Sequence, residues 1–120
     1  MALVTVDVSI NNFLVKLDVA DGFFSRMRGL MFRSPIKENE GMLFIFPEQG
    51  QRVFWMKDTL IPLDIIYINN KNVIVDIARD VQPCVEDIET ALNGCPRYPS
   101  KLPAQYALEV NSNFTRTFDI

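Results

Sequence analysis

An alternation of apolar and polar residues near the start of the chain is the feature that most constrains its fold. Apolar residues stand at every second position from 4 to 10 and again from 13 to 19, with mostly polar residues between them. This is the two-residue period of a β-strand with one buried face. Asn11 and Asn12 separate the two runs, and Asn tolerates the positive φ of a tight turn. The sequence therefore predicts an opening β-hairpin.

The rest of the chain is predicted to add more strands than helices. Further strands are predicted at residues 42–46, 52–57, 63–68, 73–78, 104–110 and 114–119, the last two as a closing hairpin. A helix near residues 22–32 is predicted to lay its apolar stripe, which includes Phe23, Met27 and Leu30, on the sheet. Residues 95–103 are predicted to form a long loop.

These elements predict a mainly β fold. We expect a single domain over residues 1–120, because the length suits one domain. Helices do not alternate with strands, which argues against a parallel βαβ fold. The predicted architecture is a β-sandwich or open barrel of about eight short, mostly antiparallel strands with one or two short helices.

Composition excludes several classes of function. The chain contains no histidine, which rules out Ser-His and Cys-His catalytic arrangements and removes the commonest metal ligand. The net charge of −3 argues against nucleic acid as the main partner. No apolar run reaches the roughly 18 residues of a membrane span. The first residues lack the features of a signal peptide, so we expect a cytoplasmic protein, or a periplasmic or extracellular one whose signal has been removed.

Cys84 and Cys95 are the two cysteines. Between them, Val85, Ile88 and Leu92 fit one face of a short helix. The two thiols could close this excursion as a disulfide, which would stabilise the fold by roughly 3 kcal/mol. A reducing cytosol would instead keep both thiols free. Both alternatives stand on the sequence alone.

The stretch at residues 53–68 is almost entirely apolar, yet it carries Lys57, Asp58 and Asp64. Charges within an apolar segment raise the free energy of the fold unless they are paired or open to a site. In a strand, Trp55 and Lys57 would share one face, and Asp58 would point to the other. This stretch is therefore a candidate functional segment.

Five sequence blocks, which occur in a fixed order and together span nearly the whole chain, carry a family resemblance. They are RMRGLMFR, GMLFIFP, FWMKDTLIPLDIIYI, the Pro-Cys pair at 83–84, and CPRYPSKLPAQYALEVN. Together they resemble the Domain of Unknown Function 192 family. The resemblance implies a compact, mainly β domain without an established activity. It places residues 28–31, 55–57 and 106–109 at positions that the family shares. This chain has Asp58 where the family usually has Asn.

The charged members of these blocks allow two interpretations. In the first they form structural ion pairs that tie helix to sheet, for which the candidates are Arg28, Lys57, Asp58, Asp64 and Glu109. In the second they line a pocket with aromatic walls. The candidate ligand-binding residues are Arg28, Trp55, Lys57, Tyr106 and Glu109.

Three functions follow from these interpretations. The first is a non-enzymatic binding or interaction module for a small molecule, glycan or peptide. The alternatives are a hydrolase that uses carboxylates such as Asp58 and Asp64, with or without a metal ion, and a structural or host-interaction protein. We assign no catalytic residue, metal ligand or cofactor. The methionines at positions 27, 31, 42 and 56 are predicted to pack in the core rather than bind a soft metal.

Overall fold

A six-stranded sheet forms the frame of the protein in the computed structural model, which describes residues 3–33, 35–85 and 94–120. Its strand order is β1-β2-β3-β8-β5-β6, and β4 and β7 form a separate two-stranded ribbon. The strands are β1 (Thr5–Ile10), β2 (Phe13–Ala20), β3 (Glu40–Gly50), β4 (Val53–Trp55), β5 (Leu63–Ile68), β6 (Ile74–Val81), β7 (Arg97–Pro99) and β8 (Ala104–Asn111). The helices are α1 (Phe23–Arg28) and α2 (Phe114–Thr117). The predicted mainly β class, with about eight strands in an open arrangement, is confirmed.

The opening hairpin is also confirmed. β1 and β2 pair in the antiparallel sense, with Ile10 opposite Phe13. Asn11 and Asn12 take positive φ values of 50° and 66°, which are the left-handed values that a two-residue hairpin turn requires. The alternation of β2 buries Val15 and Leu17 completely.

The sheet departs from antiparallel pairing at one place, between β2 and β3. Parallel neighbours need a long crossover connection, and residues 21–39 supply it. The crossover contains α1 and carries it past the end of β2. This connection is what places α1 beside the face of the sheet where the candidate site lies.

The sheet is buried on both faces because successive residues of its central strands point to opposite sides. On one face, Met42, Phe44 and Ala107 belong to a cluster against which Phe54 of β4 and Tyr98 of β7 pack. We call this cluster the ribbon-side core. On the other face lies the helix-side core, whose buried members are Ile10, Val15, Leu17, Ile66, Leu108, Val110 and Phe114 of α2.

The predicted helix at residues 22–32 is shorter than expected, and its orientation was wrong. α1 ends at Arg28 because Gly29 takes a φ of 50°. Leu30 is buried, but Phe23 and Met27 are 64% and 54% exposed. The apolar stripe therefore does not lie on the sheet. Its exposed side chains instead border an open cleft.

The predicted closing strand at residues 114–119 was wrong, since residues 114–117 form α2. Phe114 and Phe118, four positions apart, fall on one side of the helical turn, and both rings contact the ring of Phe13. Within the predicted loop at 95–103, residues 97–99 form β7 and pair with β4. The helix predicted between the cysteines falls largely on residues 86–93, which lie outside the described residues.

Candidate functional site

A cleft of about 430 Å³ opens between α1 and β4, above the ribbon-side core. Its volume is within the usual range for small-molecule sites. The wall that β3 and β4 form is aromatic and includes Phe44, Phe46, Phe54 and Trp55. The cations of its lining are Arg26, Arg28, Arg52 and Lys57. A single acidic side chain, Glu109, occurs in the lining that the described residues form.

Glu109 reaches the cleft from β8, the strand next to β3. It pairs with Met42 across the two strands and shares the face of β8 that carries Ala107. Only 4% of its surface is exposed, and burial raises the pKa of its carboxyl group to about 8. The cause is desolvation, which favours the neutral acid over the carboxylate.

The carboxyl group of Glu109 has no hydrogen-bond donor or basic partner within residues 3–33, 35–85 and 94–120. Buried polar groups normally find a partner. No fully enclosed side-chain N or O atom of these residues is left without one, so the carboxyl oxygens are open to the cleft. Glu109 thus presents its hydrogen-bonding capacity to whatever occupies that space.

Two glycines allow the backbone to close around this side chain. A Cβ atom on Gly29 would lie 3.4 Å from Oε1 of Glu109 and 3.3 Å from the ring of Phe44. A Cβ atom on Gly41 would lie 2.3 Å from the carbonyl oxygen of Glu109, which is far inside contact distance. Larger residues at either position would displace β8 or the turn that follows α1.

Edge-to-face contacts fix the aromatic wall. The ring of Phe54 lies 5.0 Å from that of Phe44 and 5.8 Å from that of Tyr67. Such geometry is favoured by the charge distribution of aromatic rings. The wall is therefore an apolar surface that is already in place before any ligand binds.

Two of the four lining cations are held by the protein. Arg26 donates to the carbonyl oxygens of Asp21 at 2.6 Å and Ile45 at 3.0 Å. Arg52 donates to the carbonyl oxygen of Ala104 at 3.0 Å, and its guanidinium lies 4.1 Å from the centre of the Phe46 ring. These contacts use much of the hydrogen-bonding capacity of both side chains.

The other two cations of the lining, Arg28 and Lys57, have no hydrogen-bond acceptor or acidic partner in the described part of the chain. The ammonium of Lys57 lies 5.3 Å from the Trp55 ring centre, and the guanidinium of Arg97 lies 4.3 Å from it. Both contacts are within the range of a cation–π interaction. Trp55 thus contacts two cations at the edge of the cleft.

The structure brings four of the five predicted ligand-binding residues together: Arg28, Trp55, Lys57 and Glu109 all line the cleft. Tyr106 does not. It stands three positions before Glu109 on the same strand and therefore points to the opposite face. There it lines a separate groove with Ile68 and Ile74.

The predicted ion pairs are not formed among the described residues. The ion pair that these residues do contain joins Arg33 to Asp18 at 3.0 Å. Arg28 and Lys57 have no acidic partner there, and Glu109 has no basic one. Burial raises the pKa of Glu109 and so favours its neutral form, which has no charge to pair.

Asp64 and Asp58 have structural contacts away from the cleft. Asp64 is 1% exposed and accepts hydrogen bonds from the backbone N–H and hydroxyl of Thr115, at 2.9 and 2.8 Å, and from the backbone N–H of Asp80, at 2.8 Å. It thereby ties β5 to α2. Asp58 takes a φ of 55°, and its backbone N–H donates to the carbonyl oxygen of Cys84.

Cys84 and Cys95 form a disulfide, with their Cα atoms 5.9 Å apart. Cys84 also forms an isolated bridge with Lys57, and its backbone N–H donates to the carbonyl oxygen of Met56. The disulfide therefore anchors the segment after β4 that carries Lys57 into the cleft. This is one of the two alternatives that the sequence left open.

Several lining residues escaped the sequence analysis. Residues 42–46 are an unbroken apolar run that predicts a buried strand. Strand geometry places Phe44 and Phe46 on one face, but it does not show that this face meets a cleft. Of the methionines, Met42 and Met56 are buried in the ribbon-side core. No group of three or more metal-binding side chains occurs in the described ranges, and none of their helices is long and apolar enough to cross a membrane.

The fold and the cleft together define a small, mainly β, single-domain protein with a ligand-sized cleft that is lined by a buried acid. The chain belongs to the DUF192 family, described as uncharacterized ACR, whose profile matches residues 4–120. No curated protein sequence matches it.

Two solved structures are similar to this fold. One, from Sinorhizobium meliloti 1021, is provisionally described as a transcription regulator; it is 26% identical, with a TM-score of 0.79 over 95% of this chain and 83% of that chain. The other is a protein of unknown function from Novosphingobium aromaticivorans DSM 12444. It is 28% identical, with a TM-score of 0.80 over 98% of this chain and 79% of that chain.

Proposed function

We propose that the protein is a binding module that takes a small molecule into the cleft between α1 and β4. The observation that carries this proposal is the buried carboxyl group of Glu109, which faces an open cavity without a partner among the described residues. Burying such a group costs free energy. A ligand that forms hydrogen bonds with it would recover part of that cost.

The surroundings of Glu109 support the same proposal. A formed aromatic wall can hold an apolar ligand body, and a few converging polar groups can fix its orientation, which is the usual construction of a small-molecule site. The net charge of −3 favours such a ligand over nucleic acid. The disulfide favours an oxidising compartment.

A hydrolase with paired carboxylates has less support. Asp64 already accepts three hydrogen bonds on the far side of the sheet, and Asp58 does not line the cleft. Glu109 has no second acid beside it in the described lining. Two-carboxylate hydrolysis needs both groups at the reacting bond.

The test is a thermal-shift screen of a small-molecule library with the disulfide-intact protein. A ligand of the native state raises the melting temperature, and the rise grows with the logarithm of the ligand concentration relative to its Kd. Trp55 is the sole tryptophan of the chain and borders the cleft, so its fluorescence reports binding independently.

Three variants decide where a hit binds. Glu109→Leu keeps the approximate side-chain volume and removes the hydrogen-bonding group, and Lys57→Ala removes a cation from the lining. Both should reduce the shift while the circular dichroism spectrum stays native. Lys71→Ala, in the exposed loop between β5 and β6, is the matched control and should keep it. If the two cleft variants retain the full shift, the site lies elsewhere and the proposal fails.

A further inference from the structure

The polar groups of the cleft are segregated by charge and depth. Arg28 is exposed and Lys57 is half-buried, whereas Glu109 is almost completely enclosed. The same lining contains the aromatic wall of Phe44, Phe54 and Trp55. A ligand that contacts the cations, the wall and Glu109 must itself have three chemically different parts.

We propose, on the basis of the binding function above, that the ligand is a small aromatic anion with an uncharged hydrogen-bonding group at the end opposite its charge. The anionic group lies between Arg28 and Lys57 at the mouth. The ring packs against the aromatic wall. The uncharged group, a hydroxyl or a carbonyl, reaches Glu109.

The two uncommitted cations select the charge of the ligand. Arg28 and Lys57 have no anionic partner in the described part of the chain. An Arg guanidinium and a Lys ammonium both form strong, charge-assisted hydrogen bonds with an oxyanion. Arg26 and Arg52 add positive charge to the same lining. A cationic ligand would enter against all four of these charges.

Glu109 selects the opposite end of the ligand. Its burial keeps the carboxyl group neutral at pH 7, with a pKa of about 8, and a neutral carboxyl group both donates and accepts a hydrogen bond. The charged or titratable groups around it in the described structure are Arg26 and Arg28 of α1, Arg52 and Lys57 on either side of β4, and Tyr67 of β5. Burial raises the pKa of Tyr67, so this side chain also stays neutral. An uncharged ligand group can bind Glu109 without the cost of removing a charge from water.

Four probes of closely similar shape test the charge and the polar end separately. They are para-hydroxyphenylacetate, phenylacetate, para-hydroxyphenylacetamide and tyramine, titrated against the intact protein while Trp55 fluorescence is recorded. We expect para-hydroxyphenylacetate to bind most tightly. Loss of the ring hydroxyl should weaken binding about threefold to tenfold, as for one hydrogen bond. Loss of the negative charge should weaken it about tenfold, and tyramine should bind least.

The variants link each effect to its residue. The double variant Arg28→Ala, Lys57→Ala should bring the affinity for para-hydroxyphenylacetate down to that for its amide, whose own affinity should not change. Lys71→Ala should leave all four affinities unchanged. A fifth probe, para-acetylphenylacetate, can only accept at its ring substituent, so its affinity should fall as Glu109 ionises above about pH 8. Glu109→Gln, which donates at every pH, should remove that fall.

Two results would overturn this ligand class and leave the binding function intact. The first is tyramine or the amide binding as tightly as the anion. The second is that none of the five probes binds while library compounds still raise the melting temperature through Glu109. If no compound of any class acts through the cleft residues, the binding function itself fails.

Discussion

Replacing the carboxyl group of Glu109 by an amide, in Glu109→Gln, should make the protein more stable at neutral and alkaline pH. The side chain is 4% exposed, and burial raises the pKa of its carboxyl group from the ordinary 4.5 to about 8. Between about pH 4.5 and pH 8, therefore, the carboxyl group is protonated in the folded state and ionised in the unfolded chain. Stability from this group is complete below about pH 4.5 and falls as pH rises towards 8.

The size of the effect follows from the width of this window. Each unit of pKa difference between the folded and unfolded states corresponds to about 1.4 kcal/mol. The full window of about 3.5 units gives a ceiling of about 5 kcal/mol, reached above the folded pKa. Between about pH 5 and pH 8 the advantage of Glu109→Gln should grow by about 3–4 kcal/mol. The amide keeps the shape of the side chain and has no charge to desolvate.

Urea unfolding of the wild-type protein and of Glu109→Gln across this pH range measures the effect. Groups that titrate in both proteins cancel in the difference between the two unfolding free energies. The absence of histidine helps, since few other groups titrate in this range. A stability difference that stays flat from about pH 5 to pH 8 would refute the reasoning. It would mean that Glu109 ionises as freely in the fold as in the unfolded chain.

Three further substitutions test the rest of the fold. Asp64→Asn should lower the unfolding free energy by about 2–4 kcal/mol at neutral pH, because it weakens three hydrogen bonds to a buried carboxylate; a loss below about 1 kcal/mol in urea unfolding would contradict this role. Gly41→Ala should cost about 3 kcal/mol or more by the same assay, because its Cβ would lie 2.3 Å from the carbonyl oxygen of Glu109. The control Gly22→Ala, whose Cβ meets its nearest atom at 3.5 Å, should cost less than about 1 kcal/mol. Cys84→Ser should cost about 2–3 kcal/mol. In the wild-type protein, mass spectrometry after alkylation without reductant should find no free thiol, whereas two alkylated cysteines would contradict the disulfide.

Local pattern was sufficient to predict the elements whose burial is regular. The alternation of β1 and β2 and the Asn pair between them predict the hairpin, because turn chemistry and side-chain period agree. The segment at 114–118 shows where pattern is ambiguous. Phe114 and Phe118 fit either a strand or a helical turn, and distant contacts with Asp64 and Phe13 favour the helix. The parallel pairing of β2 with β3 depends on the path of the crossover, which no local pattern encodes.

The site was predictable in part. Charges within an apolar stretch drew attention to Lys57, and the family blocks added Arg28 and Glu109. Strand alternation could have excluded Tyr106, because residues three apart on one strand face opposite sides. Neither the cleft nor the burial of Glu109 could be predicted, since both depend on how α1 and β4 sit against a strand far along the chain.

The position of β8 in the sheet has a consequence for how the protein folds. β8 comes last of the described strands along the chain, yet it lies between β3 and β5. During synthesis, both neighbours must wait with unpaired edges until residues 104–111 emerge, and exposed edges invite pairing with other chains. A sheet whose paired strands are far apart along the chain also folds slowly. The nascent chain therefore passes through an aggregation-prone interval that ends only when the strand carrying Glu109 inserts.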